Sequence, residues 1–102
     1  MATTTSKVLY RGAASTTTST TLYTVPSATT TVVTEIMVAN TTSTAGTFTI
    51  SLDGTAIATT VTVGAYDTTV IPMKQVLAAT KTITGGASAT TINFSISGVE
   101  IA

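Results

Sequence analysis

Apolar and hydroxyl-bearing residues alternate along much of this chain, a period of two that is typical of β-strands with one buried face. The clearest example is the run 48–54, Phe-Thr-Ile-Ser-Leu-Asp-Gly, whose strict alternation ends at an Asp-Gly pair, a favoured sequence for a two-residue type I′ hairpin turn. The turn predicts that Leu52 lies opposite Thr55. In the same register Ile50 faces Ile57 across the hairpin. The predicted inward face comprises Phe48, Ile50, Leu52, Ile57, Val61 and Val63.

Residues 32–39 form the longest apolar stretch, and the predicted strand has apolar side chains on both of its faces. One predicted face carries Val32, Ile36 and Val38. The opposite face carries Val33, Glu35, Met37 and Ala39. A strand that is apolar on both faces is either central in a sandwich or half-covered by another subunit. Val33 and Met37 are therefore candidate interface residues.

The last predicted strand begins at Thr91, and its first inward positions are Ile92, Phe94 and Ile96. Unbroken alternation would place the charged Glu100 inside the protein. A β-bulge at Gly98 would instead turn Glu100 outward. The same bulge would bring Val99 and Ile101 into the core. We therefore predict a bulge at Gly98.

Seven or eight short strands, with no segment of helical period, predict an all-β fold. The expected architecture is an antiparallel β-sandwich over residues 21–102, and strand spacing leaves jelly-roll and immunoglobulin-like topologies both open. Residues 1–20 are Thr-rich and are predicted to form an extended N-terminal arm or edge segment. Within this arm, a short strand is predicted to reach a neighbouring subunit by strand addition. Its residues are Lys7, Val8, Leu9, Tyr10 and Arg11.

The composition excludes most chemistry. Of 102 residues, 29 are Thr and eight are charged, the net charge is zero, and His, Cys and Trp are absent. The usual catalytic base, the thiol nucleophile and the commonest nitrogen ligand for metals are therefore missing. The acidic residues are scattered along the chain, at Glu35, Asp53, Asp67 and Glu100. We expect a non-enzymatic protein without a metal or other cofactor.

Charge and hydropathy also limit the kinds of partner that the chain can have. A neutral chain has no basic footprint for nucleic acid, and no apolar run is long enough to cross a membrane. The N-terminus lacks the pattern of a secretion signal, which predicts synthesis in a cytoplasm without export by that route. Edge strands usually carry charges or proline that prevent pairing with other chains. So few charges predict edges that are either short and blunted or paired in an assembly, and we favour a homo-oligomer or a larger assembly over a monomer with hydroxyl-rich faces.

Three segments together resemble a known group. They are Leu-Tyr-Thr-Val-Pro at 22–26, the apolar strand and following residues at 32–41, and Ser-Gly-Val-Glu-Ile at 97–101. This pattern of strands and turns, over residues 20–102, is similar to small β-sandwich virion proteins of tailed bacteriophages, of the capsid-decoration (cement) or tail-associated kind. The resemblance implies non-covalent, multimeric attachment to a virion lattice, and it implies no catalytic residues.

Two functions follow as hypotheses. The leading one is a phage decoration protein, located in the virion after synthesis in the host cytoplasm, that binds the major capsid protein or other virion proteins and self-associates, with a trimer expected. The alternative is a tail or fibre module that binds a host-surface glycan. Such a module would use loops 40–46 and 85–90 or a platform of Tyr10, Tyr23 and Tyr66.

Overall fold

Eight β-strands account for most of the chain in a computed structural model that describes residues 3–102. No helix occurs in that range. The strands are β1 (Thr4–Ala13), β2 (Thr21–Thr24), β3 (Thr30–Asn40), β4 (Gly46–Leu52), β5 (Thr55–Val63), β6 (Thr68–Leu77), β7 (Thr82–Ala87) and β8 (Ile92–Ile101).

The strands form two four-stranded antiparallel sheets. Sheet A has the order β1-β8-β3-β6, and sheet B has the order β2-β7-β4-β5. The pairs β1–β8, β2–β7, β3–β6 and β4–β5 describe one long hairpin folded over on itself, and the β3–β8 and β4–β7 pairs complete the sheets. This is the double Greek-key order of a jelly roll. The predicted β-sandwich is therefore confirmed, and the strand order selects the jelly roll over the immunoglobulin-like alternative.

The core lies between the two sheets. Phe48 of sheet B and Phe94 of sheet A meet edge to face, with ring centroids 6.3 Å apart and an interplanar angle of 73°. This geometry is favourable for an aromatic pair and locks the two sheets together at one point. The other fully buried apolar side chains are Ile36, Ile50, Ile83, Ile92, Ile96, Val25, Val33, Val38 and Val63.

The β4–β5 hairpin has the predicted turn but a different register. Asp53 and Gly54 both have positive φ, 52° and 74°, as a type I′ turn requires, and Leu52 pairs with Thr55. Two irregularities in β5 then shift the register, so that Ile50 pairs with Ala58. The predicted inward position of Ile57 was therefore wrong: this side chain is 43% exposed, and Ala58 is buried in its place.

A bulge in β3 changes which residues face the core. Thr34 lies between Val33, which pairs with Gly98, and Glu35, which pairs with Ser97. The extra residue reverses the alternation at this point. Met37 accordingly faces outward as predicted, whereas Val33 is completely buried and was assigned to the wrong face.

The end of β8 also differs from expectation. No bulge occurs in β8 at Gly98, because the neighbouring strands carry the irregularities at that level. A Cβ atom on Gly98 would lie 2.5 Å from the Val32 carbonyl oxygen and 2.8 Å from Leu9 Cδ1, so a side chain has no room there. Alternation continues past Gly98, and Glu100 lies on the inward side, against Tyr23 of the other sheet. The predicted outward position of Glu100 was therefore wrong.

Part of the predicted N-terminal arm belongs to the sandwich. Strand β1 pairs with β8 from Thr4 to Ala13 and forms one edge of sheet A. Leu9 is buried in the core, and Ala14 is buried just after the strand. Strand β1 is thus an edge strand of the sandwich. Burial of a single leucine, Leu9, anchors this Thr-rich strand. The alternation of the sequence does not indicate this burial, because it is a tertiary effect.

Candidate interaction surface

The outer face of sheet A brings together most of the exposed apolar side chains. Directly paired residues on neighbouring strands point to the same side of a sheet, so the pairing defines this face in rows. Read in the order β1, β8, β3 and β6, the three rows are Ser6-Val99-Val32-Val76, Val8-Ser97-Glu35-Pro72 and Arg11-Ser95-Met37-Val70. We call these twelve residues the outer face of sheet A.

Exposure on this face is unusual for large apolar residues. Within residues 3–102, six large hydrophobic side chains are exposed, and four of them, Val8, Met37, Val70 and Val76, lie on the outer face of sheet A. Val76 is 66% exposed. Apolar side chains clustered on one face, rather than scattered singly, mark an interaction surface.

Sheet A also carries three charged side chains that make no ion pair within residues 3–102. Lys7 pairs with Glu100 at 3.3 Å, and Lys81 pairs with Asp53 at 3.7 Å. In the part of the chain that the structure describes, no ion pair involves the three other charged side chains that sheet A carries. These are Arg11 on β1, Glu35 on β3 and Lys74 on β6. The Arg11 Nε instead donates a hydrogen bond to the Ser95 hydroxyl at 3.1 Å.

Irregularities in three strands align and form a groove across the sheet. The register shifts beside Leu9 in β1, at Thr34 in β3 and in the facing part of β6 all lie at the level of residues 96–98 of β8. Two shallow depressions, of about 390 and 530 Å³, lie on either side of Thr34. Together they form what we call the transverse groove. Its lining residues are Ser6, Lys7, Val8, Thr34, Ser97, Gly98, Val99, Pro72, Met73 and Lys74.

The structure separates the predicted interface residues into three groups. Val8, Arg11 and Met37 share the outer face of sheet A. Leu9 and Val33 are buried in the core, and the remaining two have partners within the chain: Tyr10, which donates to the Ala13 carbonyl, and Lys7, which pairs with Glu100. The sequence prediction missed Val32, Val70, Pro72, Val76 and Val99, because their exposure depends on which strands become neighbours.

The sheet edges are blunted. The edge strand β1 has an irregularity and carries Lys7, and the edge strand β6 carries Pro72 and Lys74. In sheet B, β2 has four residues and β5 has two register shifts. Short strands, bulges, proline and lysine all discourage edge-to-edge pairing. The candidate surface for assembly is therefore the outer face of sheet A and not an unguarded edge.

A polar cluster joins the two sheets at one end of the sandwich. The Tyr23 hydroxyl of β2 donates to the Glu100 carboxylate of β8, and it lies 2.8 Å from the Thr31 hydroxyl of β3. Burial, together with the bond to Glu100, raises the pKa of Tyr23. The bond from Tyr23, assisted by Lys7, lowers the pKa of Glu100. Each member of the cluster has a partner, and the arrangement fastens β1, β2, β3 and β8 together.

The three tyrosines do not form a common platform. Tyr23 lies where β3 begins, and the Tyr66 amide donates to the Thr42 carbonyl beyond the other end of that strand. Eleven strand residues at about 3.3 Å each place these two positions on the order of 35 Å apart. Tyr10 packs against the core elsewhere. The geometry therefore does not favour glycan binding by stacked tyrosine rings.

Neither a metal-binding cluster nor a membrane-spanning helix occurs within residues 3–102. That range has no group of three or more acidic, His or Cys side chains that could hold a metal ion. It also has no helix that is long and apolar enough to span a membrane.

Comparison with known proteins gives a fold but no family. Neither a scan against models of protein families nor a search of curated proteins finds a match. The structure of infectious bursal disease virus, Gx strain, contains a similar chain, with a TM-score of 0.59 and 14% identity over 98% of this chain. This chain spans about a third of that one, 32% of its length.

A second similar structure has a chain of nearly the same size. It is the acidic stable capsid structure of Helicobacter pylori bacteriophage KHP30, with a TM-score of 0.54 and 10% identity. The match covers 100% of this chain and 94% of that one. At these identities the two comparisons establish a shared fold.

Proposed function

We propose that this chain is a non-enzymatic structural protein of a bacteriophage virion, and that it is a decoration (cement) protein. In this role it binds the outside of an assembled capsid and stabilises the lattice. The observation that carries the proposal is the end-to-end match to a chain of almost the same length in a phage capsid structure.

The surface chemistry supports the same function. A decoration protein needs a face that loses contact with water when it docks, and the outer face of sheet A has exposed apolar side chains and two charged side chains, Arg11 and Glu35, that make no ion pair within residues 3–102. The opposite face of the molecule is rich in hydroxyl groups, which remain well hydrated. This polarity gives the domain one side for the capsid and one side for solvent.

Binding stabilises the capsid through mass action. A protein that binds the assembled lattice, and binds free subunits poorly, shifts the equilibrium toward the lattice by an amount that grows with its concentration. Many copies at equivalent sites add their contributions, so each contact can be weak. We include self-association in the proposal, with a trimer suited to a three-fold position of the lattice.

Sedimentation with capsids tests the function. Purified protein should co-sediment with expanded capsids that lack this chain, saturate at a fixed number of copies per capsid, and raise the temperature at which those capsids disassemble. A failure to bind such capsids would overturn the proposal. If the chain bound arrayed host-surface glycans instead, the tail or fibre alternative would replace it. The native mass of the purified protein tests the trimer separately.

A further inference from the structure

We propose that the transverse groove binds an extended segment of a capsid-protein chain, about five residues long. The segment is apolar in its middle and carries a carboxylate at the end that lies over β6. This inference rests on the proposed function and adds the chemistry of the partner. It is drawn from the shape of the groove, from its lining and from its charge.

The shape of the groove fits an extended chain. On each of β1, β6 and β8, three consecutive residues line it, namely Ser6–Val8, Pro72–Lys74 and Ser97–Val99. Three strand residues span about 7 Å along the strand direction, which is narrower than the 10–12 Å diameter of an α-helix with its side chains. Four strands about 4.8 Å apart give a length of about 14 Å, which an extended run of four or five residues crosses.

The lining of the groove is mostly apolar. Val8 and Val99 contribute to one depression, and Pro72 and Met73 contribute to the other. Thr34 separates the two depressions, and its hydroxyl donates a hydrogen bond to the Ser97 carbonyl at 3.1 Å. That hydroxyl is thus occupied within the sheet. A bound segment would meet mainly carbon atoms along the middle of the groove, so its central side chains should be apolar.

The two ends of the groove differ in charge. Lys7 lies at the β1 end, where Glu100 already neutralises it. Lys74 lies at the β6 end, and within residues 3–102 it makes no ion pair. Of the two lysines that line the groove, Lys74 is therefore the one that can pair with a partner carboxylate, at the β6 end. This difference gives the bound segment a direction across the sheet, because charge complementarity selects orientation as well as partner.

A pair of exposed aliphatic positions tests the apolar lining. Val8, in the groove, is 44% exposed, and Ile57, on β5 of sheet B, is 43% exposed. Val8→Lys should weaken binding to capsids that lack this chain by about 100-fold, because it places a charge where the partner is apolar. Ile57→Lys should change binding less than about twofold. Circular dichroism and thermal unfolding establish that both variants are folded.

A pair of lysines tests the charge. Lys74→Glu should weaken capsid binding by about tenfold, because it repels the partner carboxylate. Lys81→Glu, a matched change at the turn between β6 and β7, should leave binding within about twofold of wild type. Changing the partner acid to lysine should restore binding to Lys74→Glu and weaken binding to the wild-type protein.

Cross-linking identifies the segment independently of affinity. A photoreactive phenylalanine at position 8, in protein bound to the capsids, should cross-link to a short capsid segment, and the same group at position 57 should not. Mass spectrometry should place an acidic residue at one end of that segment and apolar residues in its middle.

Each other outcome has a definite meaning. If Val8→Lys binds as tightly as wild type, or if position 8 cross-links to a second copy of this chain or to a segment without an acid, the groove proposal is wrong and the decoration function stands. If the wild-type protein does not bind the capsids, both proposals fail.

Discussion

The outer faces of the two sheets carry side chains of nearly the same shape but of different polarity. Sheet A presents Val8, Val32, Val70, Val76 and Val99, whereas the alternating positions of β4 and β7 in sheet B present hydroxyl residues to the outside. Those residues are Thr47, Thr49, Ser51, Thr82 and Thr84. Valine and threonine have the same β-branched shape and suit a strand equally, and they differ by a methyl group in place of a hydroxyl. The outer face of sheet A is therefore apolar and that of sheet B is polar, although the two sets of residues favour a β-strand about equally.

The largest expected effect tests whether the two sheets differ only in their outer faces and share one core. Phe48 from sheet B and Phe94 from sheet A share one core, so Phe48→Ala and Phe94→Ala should each lower the free energy of unfolding by about 3–5 kcal/mol. Urea titration measures the loss. A double variant should lose less than the sum, because the two rings contact each other. Strictly additive losses, or a cost confined to one sheet, would contradict a shared core.

The second prediction changes the outer face of sheet A from apolar to polar. Replacing Val8, Met37, Val70 and Val76 together by Thr should weaken capsid binding by about 100-fold, equivalent to about 2.7 kcal/mol, because the face loses its apolar groups. The free energy of unfolding should change by less than about 1 kcal/mol, since all four side chains are exposed. Capsid co-sedimentation and urea titration measure the two quantities. A large loss of stability with unchanged binding would show that the face is structural.

The third prediction concerns the contact that joins the two sheets. Tyr23→Phe removes the hydroxyl that bonds Glu100 and Thr31, and it should lower the free energy of unfolding by about 1–2 kcal/mol. Tyr10→Phe is the control, because its hydroxyl bonds one exposed carbonyl, that of Ala13. Thermal unfolding should rank Tyr23→Phe well below Tyr10→Phe. Equal effects would mean that the cluster does not fasten the sheets.

The smallest expected effect is a dependence of stability on pH. The pKa of Glu100 is lowered in the folded protein, so its contribution to stability is present above the unfolded value of 4.5 and is lost as the pH falls through the lowered folded value. Unfolding measured from pH 7 to pH 2.5 should show wild type and Glu100→Gln converging at the acid end. A constant gap between wild type and Glu100→Gln would contradict the linkage.

How much of the fold was predictable depends on how local each determinant is. The type I′ turn at Asp53-Gly54 was predicted correctly because its conformational preference is held within two residues. The bulges in β3 and β5 were not predicted, since they depend on how these strands pair with their neighbours in the sheets. One inserted residue in β3 moved Val33 from the predicted interface into the core. Alternation therefore identified strands better than it identified faces.

The candidate interaction surface was harder to predict than the fold. Met37 and Val8 were candidates from the sequence, but their neighbours Val70 and Val76 come from β6, which only the jelly-roll order places beside β3. Glu100 was placed on the outside because a charge in a core is costly, and its partner Tyr23 belongs to the opposite sheet. The two-residue alternation of apolar and polar positions gives no information about contacts between strands that are distant in the chain.

The strand order has a consequence for the timing of association. Sheet A takes its strands from the beginning, the middle and the end of the eight-strand series, and β1 meets β8 only after the intervening strands exist. Contacts so distant in sequence make folding slow compared with a helical protein. A chain still emerging from the ribosome therefore cannot display the complete outer face of sheet A. Premature contact through an incomplete face is thus limited, and the complete outer face of sheet A forms in a single step when β8 pairs with β1 and β3.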